Sequence, residues 1–157
     1  MNKKAIAIGC WVLWLFCGAL PGKAQLTKLN HANLTQMDQG KHRFVLVFAP
    51  DSQNEFLLEQ DKMLRQAHLG LSERDLLVVQ VVDNNVEVNP HVKEEFPSAA
   101  SLRQTYKVSP NNFAVVLIGK DGTEKYRAAH AQAPAVLFEI IDAMPMRQNE
   151  MQQKRGE

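Results

Sequence analysis

The sequence predicts an α/β fold: a central mixed sheet of four strands with helices on both faces. Three observations predict it. Short continuous apolar runs, rich in β-branched residues, stand at 44–48, 76–82 and 113–118, the pattern of strands buried on both faces. A helical pattern fills the gap between the first two, making a βαβ unit with parallel strands and a right-handed crossover. Asp121-Gly122 follows the third run and is a tight-turn signal that folds a fourth strand back antiparallel.

The chain has 157 residues with 45% hydrophobic and 22% charged, the size and balance of one globular domain. A formal net charge of +1 excludes a nucleic-acid binder that works by bulk charge. Lys3 and Lys4 precede an apolar stretch from Ala5 to Leu20, and Gly22 and Ala24 satisfy a small-x-small cleavage rule, so residues 1–24 read as a cleavable secretory signal. The apolar stretch is shorter than the ~20 residues of a spanning helix, which disfavours an uncleaved anchor and leaves no membrane span in the mature form. Lipidation at Cys17 is disfavoured by the bulky Phe16 before it, and Cys10 has too short an apolar stretch ahead of it. Cleavage after Ala24 leaves 133 residues with no cysteine and a net charge of −2. The expected location is periplasmic or extracellular, with the core alone holding the fold.

Residues 25–40 are polar and read as an N-terminal extension, with a glycosylation sequon at Asn33-Leu34-Thr35. The first strand spans Phe44–Phe48. Ser52 and Glu55 form an expected capping box. Phe56, Gln60, Met63, Leu64, Ala67 and Leu71 then define a helix face, with Gly70 as its stop. Leu76–Val82 is the second strand, and the polar stretch Asp83–Pro97 is expected to be an irregular loop. Ser98 caps a helix through Tyr106, and Ser109-Pro110-Asn111-Asn112 makes a turn. Phe113–Ile118 and Thr123–Arg127 form the hairpin. Pro134 opens a helix with Leu137, Phe138, Ile141 and Met144 on its apolar face, and Pro145 ends it. Residues 152–157 are a polar tail, with 146–157 fitting either a further helix or a frayed end. A β-α-β-α-β-β-α order with these features is the thioredoxin-like arrangement.

Several stretches also carry a family resemblance: Phe48-Ala49-Pro50, Gln60, Glu73-Arg74-Asp75, Val116–Gly122, and Ile141-Asp142-Ala143-Met144-Pro145-Met146-Arg147 continuing to Met151. The chain resembles the domain of unknown function DUF4174 over roughly Lys41 to Met151. The resemblance implies a thioredoxin-like, peroxiredoxin-related fold with no established activity. Its relatives include short secreted bacterial proteins and vertebrate secreted sushi-repeat and coiled-coil matrix proteins, which points to adhesion or matrix interaction by analogy.

Thioredoxin-like enzymes place a reactive cysteine where the first strand meets the first helix, whose N-terminus stabilises the thiolate. Here that junction reads Ala49-Pro50-Asp51-Ser52-Gln53-Asn54-Glu55-Phe56-Leu57. It has no cysteine, so thiol–disulfide exchange and thiol peroxidase activity are not expected. Pro110 lies too early for the cis-proline that precedes the third strand of thioredoxins. His31, His42, His68, His91 and His130 lack metal-ligand spacing, and no cofactor is expected. Asp51 and Glu55 read as helix-start residues rather than a catalytic pair. Gln60 reads as a satisfied buried amide and Arg74-Asp75 as a local ion pair. Met144-Pro145-Met146-Arg147 offers an adaptable contact surface or closes the core edge. The candidate binding residues are therefore Pro50, Asp51, Asn54, Gln60, Arg74, Met144, Met146 and Arg147. The leading expectation is a non-redox interaction module with a protein partner in the envelope or extracellular space. The alternative is an enzyme of unassigned chemistry using a cleft formed by Pro50, Asp51, Asn54 and Arg74.

Overall fold

The computed structural model describes residue 34 and residues 38–90 and 96–156. The leader with Cys10 and Cys17, the cleavage point after Ala24, and most of the 25–40 extension lie outside the described residues. Five strands form one mixed sheet: β1 (Arg43–Ala49), β2 (Leu76–Val82), β3 (Asn85–Asn89), β4 (Ala114–Ile118) and β5 (Glu124–Ala128), in the order β3-β2-β1-β4-β5. β1 pairs parallel with β2 and antiparallel with β4; the β2–β3 and β4–β5 pairs are antiparallel. The order β2-β1-β4-β5 with these directions is the thioredoxin-like core, and β3 is a fifth strand on its edge.

The β1 sequence explains its central place. Every residue from Arg43 to Ala49 is buried, and its side chains alternate between two cores, as a strand's period of two requires. Phe44, Leu46 and Phe48 meet Leu77, Val79, Leu102 and Val116 on one face. Val45, Val47 and Ala49 meet Leu57, Leu64, Leu137 and Ile141 on the other. The first face is covered by α3 (Ala99–Tyr106), with Leu34 also buried there. The second is covered by α1 (Glu55–Gln66), α2 (His68–Glu73) and α4 (Pro134–Asp142). Helix α5 spans Pro145–Gly156. Pro145 ends α4 and sits first in α5, where its missing N–H costs nothing.

Four local expectations are corrected. The sheet has five strands rather than four, because the presumed loop after β2 turns back at once: Asn85-Val86-Glu87-Val88-Asn89 pairs with Val82 to Val78. Only Val86 and Val88 pack against the core, which is too little apolar content to stand out as a strand. The cap of α1 is Asn54, whose side chain accepts from Leu57 N, so the helix starts without the Ser52–Glu55 capping box. That phase buries Leu57, Gln60 and Leu64 and leaves Phe56 43% exposed. Gly70 does not stop a helix; it lies inside α2, and α1 ends at Gln66. Ser98 does cap α3, accepting from Ser101 N, and Asn112 N bonds Ser109 O in the expected turn. Among the described residues the cis peptide bond precedes Pro90, and the bond before Pro110 is not cis, in keeping with its early position.

Gly70 is there for space. A Cβ would stand 2.6 and 2.8 Å from the Phe138 ring of α4. The Arg74 guanidinium covers that ring, 4.4 Å from its centroid, which restricts its retreat. Alanine would gain about 1 kcal/mol of helix propensity against an overpacking cost of about 1–3 kcal/mol. Gly70→Ala is expected to lose about 1 kcal/mol net in urea unfolding; a gain in stability would contradict the packing argument.

Candidate functional site

Two polar regions lie at opposite ends of β1. At its C-terminal end is the junction where a thioredoxin-like enzyme would hold its thiol. Asp51 is exposed and its carboxylate accepts from Gln53 N at 2.8 Å. Asn54 is committed to the α1 cap at 3.2 Å. Glu55 is an acidic residue in the first helical turn, where the macrodipole favours it. From the opposite face, Arg103 of α3 reaches the same place. It is 7% exposed, and its guanidinium donates to Ala49 O (2.6 Å), Val81 O (3.2 Å) and Ser109 O (3.3 Å). It also lies over the Phe48 ring, 5.7 Å from the centroid. Burial pushes this guanidinium below its ordinary value, and the charge of Asp83 acts in the other direction. The junction is thus a local turn, a helix cap and a carbonyl clamp. Both cysteines of the chain are far from it in sequence, and neither is among the described residues.

Gln60 is a satisfied buried amide. Its Oε1 accepts from Gln132 N (2.6 Å) and its Nε2 donates to Gln132 O (3.0 Å). The Gln132 side chain in turn accepts from Tyr126 Oη (2.6 Å). This chain of bonds ties the segment before α4 to α1, in the manner expected of a fully buried polar group.

At the N-terminal end of β1 lies a charged hub of four cations and four carboxylates. Arg43 and Arg147 are each 1% exposed. Arg147 bonds Glu73 (2.9 Å), Asp142 (3.2 Å) and the Glu73 carbonyl (3.1 Å). Arg43 forks onto Glu150 (3.1 and 3.2 Å) and donates to Arg74 O (2.9 Å). Lys120, in the β4–β5 turn, bridges Asp75 and Glu150, both at 2.8 Å. Arg74 pairs with Asp142 at 2.6 Å and with Glu73 at 3.4 Å. The expected local Arg74–Asp75 pair is therefore corrected: each residue turns to a distant partner, Asp142 or Lys120. Arg43 Nε and Arg74 Nε are buried without a hydrogen-bond partner among the described residues.

Burial alone would raise the Asp142 carboxyl, but hydrogen bonds and charge from Arg74 and Arg147 outweigh it and hold it below its ordinary value. Glu150 is lowered in the same way, burial being outweighed by Lys120 and Arg43. A carboxyl lowered in the folded state stabilises fully above its unfolded pKa, and that stabilisation is lost as pH falls through the folded value. The ordinary values are 3.8 and 4.5. Stability is therefore expected to hold down to about pH 5 and to fall as pH drops below about 4. Asp142→Asn with Glu150→Gln should be less stable at pH 7 and flatten that fall. Denaturant midpoints across pH would check this, and an unchanged acid slope would refute it.

The seven residues of β1 separate the junction from the hub by about 20 Å. Pro50, Asp51 and Asn54 thus share one end, Arg74 and Arg147 the other, and the cleft expected to join Arg74 to the junction does not form. Met144 is partly buried against the core, whereas Met146 is 50% exposed. With Pro145 they line a cavity of about 260 Å³ against Arg43, Lys120 and Lys125. Sequence reasoning missed Arg43, Arg103, Lys120 and Glu150. One signal was available: Ala99, Leu102, Arg103 and Tyr106 fall at helical spacing, which puts Arg103 on the apolar face.

Comparison with known proteins places these features. The family model described as "Domain of unknown function (DUF4174)" matches residues 33–150. Human Sushi repeat-containing protein SRPX2 is 28% identical over 138 residues, 86% of this chain and 30% of that protein. Rat Sushi repeat-containing protein SRPX is 32% identical over 114 residues, 71% of this chain and 25% of that protein. The chain thus spans less than a third of these relatives. A solved thioredoxin-fold protein from Helicobacter pylori aligns over 74% of this chain and 80% of its own, at 14% identity and a TM-score of 0.44.

Proposed function

The chain belongs to the DUF4174 family, and from that membership we propose that it is a non-redox interaction module that works outside the cytoplasm. The observation that carries this reading is the junction at Ala49–Asn54. Its sequence holds no thiol, the Asp51 side chain is taken up by a turn and that of Asn54 by the α1 cap, and Arg103 occupies the Ala49 carbonyl. What remains available is surface. The Met144–Met146 corner presents flexible, polarizable side chains beside the Lys125–Asp121 ion pair, a composition suited to an adaptable contact. The small-x-small leader supports export, with the mature chain beginning at Gln25.

The test is in-cell crosslinking of the C-terminally tagged chain, beside a Met146→Glu variant. Met146 is exposed, so this variant leaves the core untouched, whereas changing buried Arg147 would destabilise it. A specific protein captured by the native chain and lost from the folded variant is the expected result. Identical capture by both chains would remove the Met146 corner from the reading. The intact mass of the exported protein should match a chain starting at Gln25.

A further inference from the structure

The face of the sheet that carries α1 is not fully covered. Helix α1 packs over β1 and α2 over β2, and among the described residues no helix covers the same face of β3. Two cavities open there, of about 420 and 500 Å³, and they share Asp61, Arg65 and Gln80. These three form a polar saddle: Gln80 Nε2 donates to Asp61 at 2.8 Å, and Arg65 Nε to the same carboxylate at 2.6 Å. Val78 floors one cavity and Val82 the other, four residues apart on β2 or about 13 Å. Leu58, 54% exposed, stands at the rim of the second.

The charged lining is acidic. Asp61, Asp75 and Glu87 line the two cavities with one guanidinium, Arg65, and two imidazoles, His42 and His68. Arg65 is already bound to Asp61, and Glu87 makes no ion pair among the described residues. Lys120 lies outside the lining and takes up one oxygen of Asp75.

From this geometry we propose that the groove between α1 and the β2–β3 hairpin docks an extended segment of a protein partner. The segment carries two apolar side chains four residues apart, one for each cavity, with basic residues between them. The proposal rests on the interaction reading above and gives it a partner chemistry. An extended chain advances about 3.3 Å per residue, so this spacing matches the two floors, and the basic residues meet Glu87, the lining carboxylate without an ion pair among the described residues.

The test uses the full chain and a fluorescent octapeptide with leucines at its second and sixth positions and lysines between them. One control peptide replaces the lysines with glutamates, another the leucines with alanines. The lysine–leucine peptide should bind at least tenfold more tightly than either control. Glu87→Lys and Leu58→Glu, both at exposed positions, should each weaken it at least fivefold, while Lys154→Ala, exposed on α5 and outside the groove, leaves it unchanged. Equal affinity for the lysine and glutamate peptides, or insensitivity to both groove variants, would overturn the proposal. The crosslinking result at Met146 is independent of these outcomes, so the groove can fail while the interaction reading stands.

Discussion

Replacing Arg147 with alanine is expected to lower the unfolding free energy by about 3 kcal/mol, near the lower end of the cost of breaking a buried ion pair. The residue is 1% exposed, and its loss removes a donor from Glu73, Asp142 and the Glu73 carbonyl together. The cost stays below the upper end of that range because Asp142 retains Arg74 and Glu73 is 60% exposed. For a chain of this size the melting temperature should fall by about 10 °C. Lysine at this position should recover little, since one ammonium cannot reproduce the planar fork. Glu73→Ala should cost under about 1 kcal/mol, because the exposed partner is solvated in either state. Guanidinium unfolding measures all three, and a loss below about 1 kcal/mol for Arg147→Ala would show the hub to be incidental to stability.

Arg103→Leu is expected to be of similar size, about 3 kcal/mol. The leucine keeps the apolar stem but removes the donors to Ala49 O, Val81 O and Ser109 O. A buried carbonyl left without a partner carries a desolvation cost of about 1–3 kcal/mol. Asp83 N remains near Ala49 O at 3.4 Å, which limits that one loss. Lysine should recover about one bond's worth, as it reaches one carbonyl rather than three. Arg103 and Arg147 act at opposite ends of β1, so their double variant should lose the sum of the two within about 0.5 kcal/mol. A small effect of Arg103→Leu would mean that the clamp does not hold the junction.

The elements that were legible in the sequence are those whose cause is local. β1, β2 and β4 read as strands because they are buried on both faces. The Ser98 cap, the Asp121-Gly122 turn and Pro134 at a helix start depend on a few adjacent residues. β3 was not legible because its pairing with β2, rather than its two valines, makes it a strand. The start of α1 was misread because Ser52 and Asn54 are both good caps, and only the packing of Leu57 and Leu64 selects Asn54. Gln60 was read correctly as a buried amide, but its partner Gln132 is 72 residues away. The hub was invisible as a hub: Arg43 and Glu150 are 107 residues apart, and no spacing rule joins them. The stretches carrying the family resemblance nevertheless contain all its members except Arg43: Glu73-Arg74-Asp75, Lys120, Asp142, Arg147 and Glu150. The structure supplies a physical use for that string. Most of it builds the scaffold's charged end, and Met146 is the part it leaves at the surface.

That division of labour separates a folding motif from the chemistry of the junction, and the junction can be tested directly. Disulfide reduction and peroxide removal should be measured with the purified exported chain, beside heat-denatured protein and an Asp51→Ala, Asn54→Ala variant. The account predicts turnover no greater than that of the denatured control. Turnover above it that disappears in the folded double variant would contradict a non-redox module and return the junction to the chemistry that thioredoxin-like enzymes place there.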